Sequence, residues 1–242
     1  MVITSVNNER IKEISKLKEK KYRDSTGTFL IEGEHLLLEA YKSNLVKEVF
    51  VLEGNNIDID VPISYVTSSV MKKMSTTDSI PSVLAVVNKK EDNMIGNKLL
   101  ILEDIQDPGN LGTIIRSAMA FDIDTIVLSP NTVDLYNSKV IRSTQGMIFH
   151  INIVVRKLDN FIKNIKEDGY KIYGTKVDNG KDIRNIDIPS KYALIIGNEG
   201  NGMSTEISNL CDDYLYIKMN KKTESLNAGV ATSILLYEIY NK

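Results

Sequence analysis

The 242-residue sequence predicts an α/β protein in two parts: a small N-terminal α/β sandwich and a larger domain built on a mostly parallel sheet. Three observations predict it. Apolar runs of strand length recur along the chain, among them Leu99–Leu102, Ile126–Leu128, Ala193–Ile196 and Tyr214–Ile217. These lead through polar loops into stretches of helical spacing, the alternation of a parallel sheet covered on both faces. A polar, charged tract, Lys89 to Lys98 (KKEDNMIGNK), divides the chain.

Asn8 to Lys21 reads as one amphipathic helix, with Ile11, Ile14 and Leu17 on one side and Lys12, Lys16 and Lys20 on another. Residues 1–23 hold seven basic and three acidic side chains, so 1–24 reads as a basic helical extension. It is either a solvated face or a contact for phosphates. Residues 25–90 form the small domain. Its strands are Phe29–Ile31, Val46–Leu52, Ile63–Val66 and Val83–Val87; its helices carry Leu36, Leu37 and Ala40, then Ser68–Met74 with a hydroxyl cap at Thr67 or Ser68. Residues 91–98 are the linker and 99–242 the larger domain. There, Asn110 is a natural cap for a helix bearing Ile114, Ile115, Ala118 and Met119. The helices Ser138–Thr144 and Leu158–Glu167 follow, the second stopped by Gly169, with strands at His150–Val154 and Tyr170–Tyr173. The last helix places Ile234, Leu235 and Ile239 on one face, and Ser225 or Asn227 could cap it.

Composition narrows the function. The net charge is −2, with 13 basic and 14 acidic residues up to position 95 and 17 and 18 beyond it, so no broad field draws the chain to nucleic acid. A local patch would have to do so. One cysteine, Cys211, excludes an intrachain disulfide, and no Cys/His cluster has metal-ligand spacing, so no metal is expected. No apolar run approaches 18 residues and the N-terminus has no signal-like apolar core, so a soluble cytoplasmic protein without a membrane span is expected.

The chemistry gathers where strands end. Gly197-Asn198-Glu199-Gly200-Asn201-Gly202 follows an apolar strand, but it fits neither the dinucleotide fingerprint nor a phosphate-binding loop. A carboxylate in such a turn repels phosphate. Glu199 suits hydrogen-bond donors: a ribose, an amide, an arginine, or the backbone N–H groups beside it. Arg116 offers five donors for phosphate or carboxylate. Asn110, Glu199 and Asn227 stand in three separate strand-end loops of one domain, the usual place for ligands in α/β proteins.

These residues fall into three ordered motifs: Asp107-Pro108-Gly109-Asn110-Leu111-Gly112 through Arg116-Ser117-Ala118; Ile195-Ile196-Gly197-Asn198-Glu199-Gly200-Asn201-Gly202; and Ile217-Lys218-Met219 with Glu224-Ser225-Leu226-Asn227. Together they resemble the SpoU/TrmH family of RNA ribose 2′-O-methyltransferases, in the SPOUT superfamily. The resemblance covers the whole chain, since Phe29-Leu30-Ile31-Glu32-Gly33-Glu34 is similar to the start of that family's small RNA-binding domain, itself similar to ribosomal and kink-turn RNA-binding proteins.

The resemblance implies a deep C-terminal trefoil knot, a homodimer, and S-adenosylmethionine as cofactor. Its pocket would be lined by Thr175, Lys176, Gly197, Asn198, Gly200, Gly202, Ile217, Met219 and Leu226. Arg116 would be the catalytic arginine, with Asn110, Glu199, Ser225 and Asn227 holding substrate and site geometry. Ribosomal RNA is the favoured substrate and transfer RNA the alternative; a protein of this fold that binds RNA without catalysis is a further one. Two stretches depart from the family pattern. Ala228-Gly229 stands where relatives usually have valine and serine, and Gly229 is expected to loosen a helix start; Ser82 lies near where they commonly have glycine.

Overall fold

The computed structural model describes residues 2–91, 94–177, 180–220 and 222–242. The chain forms two compact units, residues 1–91 with 136–149, and residues 92–135 with 150–242. In order, the elements are β1 (Val2–Ile3), α1 (Glu9–Lys16), α2 (Lys20–Thr26), β2 (Thr28–Glu32), α3 (Glu34–Lys42), β3 (Val46–Leu52), β4 (Ile63–Val66), α4 (Ser68–Met74) and β5 (Val83–Asn88). There follow β6 (Lys98–Leu102), α5 (Pro108–Ala120), β7 (Thr125–Leu128), α6 (Ser138–Thr144), β8 (Asn152–Val155), α7 (Leu158–Glu167) and β9 (Lys171–Thr175). The last are β10 (Lys181–Asp182), β11 (Tyr192–Ile196), α8 (Thr205–Ser208), β12 (Asp213–Tyr216) and α9 (Ala228–Tyr240).

The first unit has a five-stranded sheet in the order β1-β4-β3-β5-β2, parallel at the β1–β4 and β4–β3 pairs and antiparallel at β3–β5 and β5–β2. Its N-terminal segment is no extension. β1 extends the sheet, and Ile11, Ile14 and Leu17 are buried with Phe50, Met71 and Met74. The single helix expected over 8–21 is two, broken after Lys16, and the buried Arg23 guanidinium donates to the Leu17 and Lys18 carbonyls at 2.8 and 2.7 Å. Leu17 is the C-cap of α1 and Lys18 follows it, and their carbonyls would otherwise lack donors. At α4, Thr67 is the cap position, but its hydroxyl makes no capping bond and meets that of Ser69 instead, at 3.1 Å.

Residues 136–149, expected in the larger domain, pack with the first unit. The Tyr136 ring lies 4.6 Å from that of Phe29, centroid to centroid, and Val140, Ile141 and Phe149 are buried. Nothing in the local pattern of 136–149 distinguishes one core from another, and only the packing assigns it. The expected linker is shorter than 91–98: its residues Asp92 and Asn93 lie outside the described residues, and Ile95 already packs on the second unit's core.

The second unit has a seven-stranded sheet in the order β10-β12-β9-β11-β6-β7-β8, parallel at every pair. Its central strands β11, β6 and β7 are apolar past their first residue because both faces are covered; Leu99, Ile101, Val127, Ala193 and Ile195 are all buried. Parallel register brings the C-terminal ends of β6, β7, β9, β11 and β12 to one edge. Among the described residues, no helix is long and apolar enough to cross a membrane.

Candidate active site

The loop after β6 enters α5 through Asp107, whose carboxylate accepts from the Asn110 N–H at 2.8 Å, with Pro108 next in the first turn. Asp107, not Asn110, is therefore the cap. That frees the Asn110 side chain, which is buried, to link two other loops. Its Nδ2 donates to Glu199 Oε1 at 3.0 Å, and its Oδ1 accepts from Asn227 Nδ2 at 2.7 Å. Asn227 in turn caps α9, accepting from the Val230 N–H at 3.2 Å. A carboxylate and two amides thus join the three motifs in one chain of hydrogen bonds.

Glu199 also accepts from the backbone N–H groups of Gln106, at 3.0 Å, and Asp107, at 3.0 Å. Partial burial pushes its carboxyl up, but the bonds from Asn110, Asp107 and Gln106 outweigh this and hold it below the ordinary value. Glu199 thus positions two loops and has little accepting capacity left for a ligand. Because its folded value is lowered, the order it lends these loops is complete above pH 4.5 and is lost as pH falls through the lowered value. Glu199→Gln turns an amide donor toward N–H donors. It is expected to destabilise the second unit by about 1–3 kcal/mol and to remove this acid-dependent step. Thermal unfolding from pH 3 to 7 checks both; a variant with the wild-type pH profile would refute the role.

Asp104 has no mark in the sequence, yet it joins the loops that follow β6, β7 and β11. It holds a left-handed backbone at φ 53°, a conformation that Asp tolerates better than most residues. Its N–H donates to Ser129 Oγ at 2.8 Å, and Ser129 Oγ donates back to its carboxylate at 2.6 Å. Its carbonyl accepts from Asn198 Nδ2 at 2.8 Å and from Gln106 Nε2 at 3.0 Å. Glu103, beside it and buried, accepts from the Ser204 N–H at 3.0 Å. Nothing local in the sequence marks either residue, because their partners are up to 101 positions away.

A cavity of about 360 Å³ opens beside this network. Thr175, Lys176, Gly197, Asn198, Gly200, Gly202, Ile217, Met219 and Leu226 all line it, with Ser225 and Glu199. Several of their polar side chains are already engaged. Thr175 Oγ1 donates to the Ile195 carbonyl at 3.0 Å, and Asn198 Oδ1 accepts from the N–H groups of Gly200 and Asn201 at 3.0 and 3.1 Å. The Lys176 ammonium lies 3.5 Å from the centre of the Tyr214 ring. Backbone groups of the strand-end loops and apolar walls from Ile196, Ile217, Leu226 and Leu235 remain for a ligand. This size and lining suit a nucleoside with an aliphatic tail. Nearby, burial raises the Cys211 thiol to about 11, which leaves it unionised near neutral pH. No group of three or more residues able to hold a metal occurs among the described residues.

Arg116 and Ser225 do not join the hydrogen-bonded chain. Arg116 is exposed on α5, outside the cavity lining, with no hydrogen bond or ion pair to a described residue. Met119, expected on the buried side of that helix, is 40% exposed. On α9 the buried face is Gly229, Thr232, Leu235 and Leu236, with Ile234 and Ile239 only half-buried. Gly229 lets α9 approach α5 closely, since a Cβ there would lie 3.2 Å from the Thr113 side chain. One turn on, the Ser117 and Ser233 hydroxyls meet at 2.6 Å.

Comparison with known proteins agrees with this architecture. The SpoU rRNA methylase family model matches residues 97–237, and that of the MRM3-like substrate binding domain matches residues 8–85. The Bacillus subtilis 23S rRNA (guanosine(2553)-2′-O)-methyltransferase RlmP is 38% identical, over 98% of each chain. The crystal structure of the AdoMet-bound rRNA methyltransferase from Sinorhizobium meliloti superposes with a TM-score of 0.87 at 27% identity, covering 100% of this chain and 97% of that one. A crystal structure of an RNA 2′-O ribose methyltransferase gives 0.85 at 26% identity, covering 100% and 98%. The two-part α/β fold is the one these proteins share.

Proposed function

From the premise that this chain belongs to the SpoU rRNA methylase family, we propose that it methylates a ribose 2′-hydroxyl of ribosomal RNA, using S-adenosylmethionine. The observation that carries the reading is the Glu199–Asn110–Asn227 chain beside a cavity of nucleoside size. The target is a guanosine of large-subunit RNA, as in the Bacillus subtilis relative's name. Bound in the cavity, S-adenosylmethionine supplies an electrophilic methyl group on a positively charged sulfur. Ile217, Met219, Leu226 and the loop from Gly197 to Gly202 would hold it and exclude water.

The chain's own task is to make a poor nucleophile competent. A ribose hydroxyl is scarcely ionised near pH 7, so the site must stabilise negative charge developing on oxygen and hold that oxygen in line. Arg116 binds the neighbouring phosphate and donates to the 2′-oxygen. It is not the base, because a guanidinium offers only N–H donors and no lone pair to take the proton. The 2′-oxygen would gain the methyl group as the carbon–sulfur bond breaks, leaving a neutral thioether, while the hydroxyl proton leaves to water.

The active form is a cytoplasmic homodimer. Support comes from exposed apolar side chains on the paired helices α5 and α9: Met119, Val230 at 46% exposure, Tyr237 at 54% and Tyr240 at 56%. A second copy covering this face would enclose Arg116, which the single chain leaves in solvent. Val230→Asp with Tyr237→Glu is expected to yield a folded monomer whose activity falls at least about 100-fold. Sedimentation velocity and circular dichroism check this, and a fully active monomer would refute it.

Labelled methyl transfer to unmodified ribosomal and transfer RNA pools, with the nucleoside identified by mass, tests the function. The expected product is 2′-O-methylguanosine in large-subunit RNA. Label on a base would overturn the ribose assignment, and label confined to transfer RNA would overturn the substrate.

A further inference from the structure

The first unit collects positive charge that its carboxylates leave uncancelled. Several of its lysines are ion-paired: Lys12 with Glu9 at 3.0 Å, Lys21 with Glu19 at 3.3 Å, Lys42 with Glu39 at 2.7 Å and Lys89 with Asp24 at 2.7 Å. Lys18, Lys72 and Lys73 differ. They lie within electrostatic reach of one another, and none forms an ion pair with a described residue. Lys18 Nζ donates to the Lys73 carbonyl at 2.8 Å, and Lys72 Nζ to the carbonyls of Thr77 and Asp78 at 3.0 and 2.6 Å. A carbonyl orients an ammonium without neutralising it.

Glu32 is the carboxylate that acts on Lys18, but its oxygens are taken. Oε1 accepts from the Thr76 N–H and hydroxyl at 2.7 and 2.6 Å, and Oε2 from the Ser75 and Thr77 hydroxyls at 2.8 and 2.7 Å. These bonds keep it ionised against burial, and they pin the loop 75–77. Arg142 reaches the same loop, donating to Thr76 Oγ1 at 3.3 Å. A small cleft lined by Lys18, Arg23, Glu32 and Thr76 opens there. Burial and the charges of Lys73 and Lys72 push the Lys18 ammonium down from its ordinary value, against the pull of Glu32. Three lysines and Arg142 thus surround one carboxylate whose oxygens are taken, so positive charge is in excess at this spot and an added anion would offset it.

We infer that Lys18, Lys72, Lys73 and Arg142 form a seat on the first unit for the phosphate backbone of the RNA substrate. The inference rests on the proposed RNA substrate and says how a chain of net charge −2 holds it. Local cations, ordered by backbone carbonyls and a pinned loop, replace a broad basic field. Contacts of this kind anchor and orient the RNA without reading its sequence.

The test compares two triple variants with equal loss of charge, Lys18→Gln/Lys72→Gln/Lys73→Gln and Lys12→Gln/Lys21→Gln/Lys42→Gln. Binding of a large-subunit RNA fragment to the full chain is followed by fluorescence anisotropy across a salt series. The first triple is expected to weaken binding about 100-fold at 0.1 M salt and to flatten the plot of log affinity against log salt by about 2–3. The second, which removes paired lysines, should change the slope by less than about one. Lys18→Arg/Lys72→Arg/Lys73→Arg should restore binding, which separates charge from folding, and the S-adenosylmethionine Kd should stay unchanged throughout. Equal losses in the two glutamine triples, or an unchanged slope in the first, would overturn the seat. Binding is read without turnover, so a failure of the methyl-transfer reading would appear separately, in the labelling assay.

Discussion

Arg116→Ala is expected to lower kcat about 100- to 1000-fold, with Tm and S-adenosylmethionine affinity at wild-type values. The fold of each subunit should hold because on the single chain this side chain is exposed and bonded to no described residue, and such surface changes usually stay within about 0.5 kcal/mol. Cofactor affinity should hold because Arg116 lies outside the cavity lining. The loss falls on kcat because the guanidinium acts on charge that develops only as the 2′-oxygen reacts. Arg116→Lys keeps the charge but not the planar fork, and should recover less than about a tenth of the wild-type rate. Single-turnover kinetics with saturating RNA measure this directly. Near-full activity in either variant would remove Arg116 from the chemistry.

Gly197→Ala is expected to abolish cofactor binding by another route. A Cβ on Gly197 would lie 2.2 Å from the Met203 nitrogen and 2.3 Å from the Gly202 carbonyl carbon. These are backbone atoms, and no rotamer change can move them. The turn is also closed on itself, by bonds in both directions between Asn198 and Gly202 at 3.0 and 2.9 Å. Relief requires the loop to open, at a cost of about 3 kcal/mol. A shift of about 1 Å in the lining should weaken S-adenosylmethionine binding at least about 100-fold. Gly200→Ala is the control: its Cβ would meet only Asn198 Oδ1, at an ordinary 3.6 Å, so Tm should not change. Calorimetric titration and thermal unfolding of both variants decide it. A Gly197→Ala protein with normal Tm and binding would refute the close approach.

Much of the second unit was legible because its central strands β6, β7 and β11 are short and apolar past their first residue, with helical spacing between them. Burial on both faces of a parallel sheet demands that pattern, and local spacing reveals it. Asp107-Pro108 carries its own capping chemistry within one turn, so the reading of Asn110 as the α5 cap missed a local signal. The short edge strands β1 and β10, of two residues each, were missed because two residues show no period. The first helix was read as unbroken because Ile11, Ile14 and Leu17 keep helical spacing across the break.

The sequence by itself determined the fold class, the three motifs and the family, since each is written in neighbouring residues and their order. Tertiary structure alone decided what the polar residues do. It spent Glu199 on Asn110 and two backbone N–H groups. It brought Asp104 to the centre of three loops, assigned 136–149 to the first unit and left Lys18, Lys72 and Lys73 unpaired beside paired neighbours. The reason is physical: a side chain's propensity acts over a few residues, whereas its hydrogen-bond and charge partners here lie up to 117 positions away. Only the folded chain brings them within 3 Å.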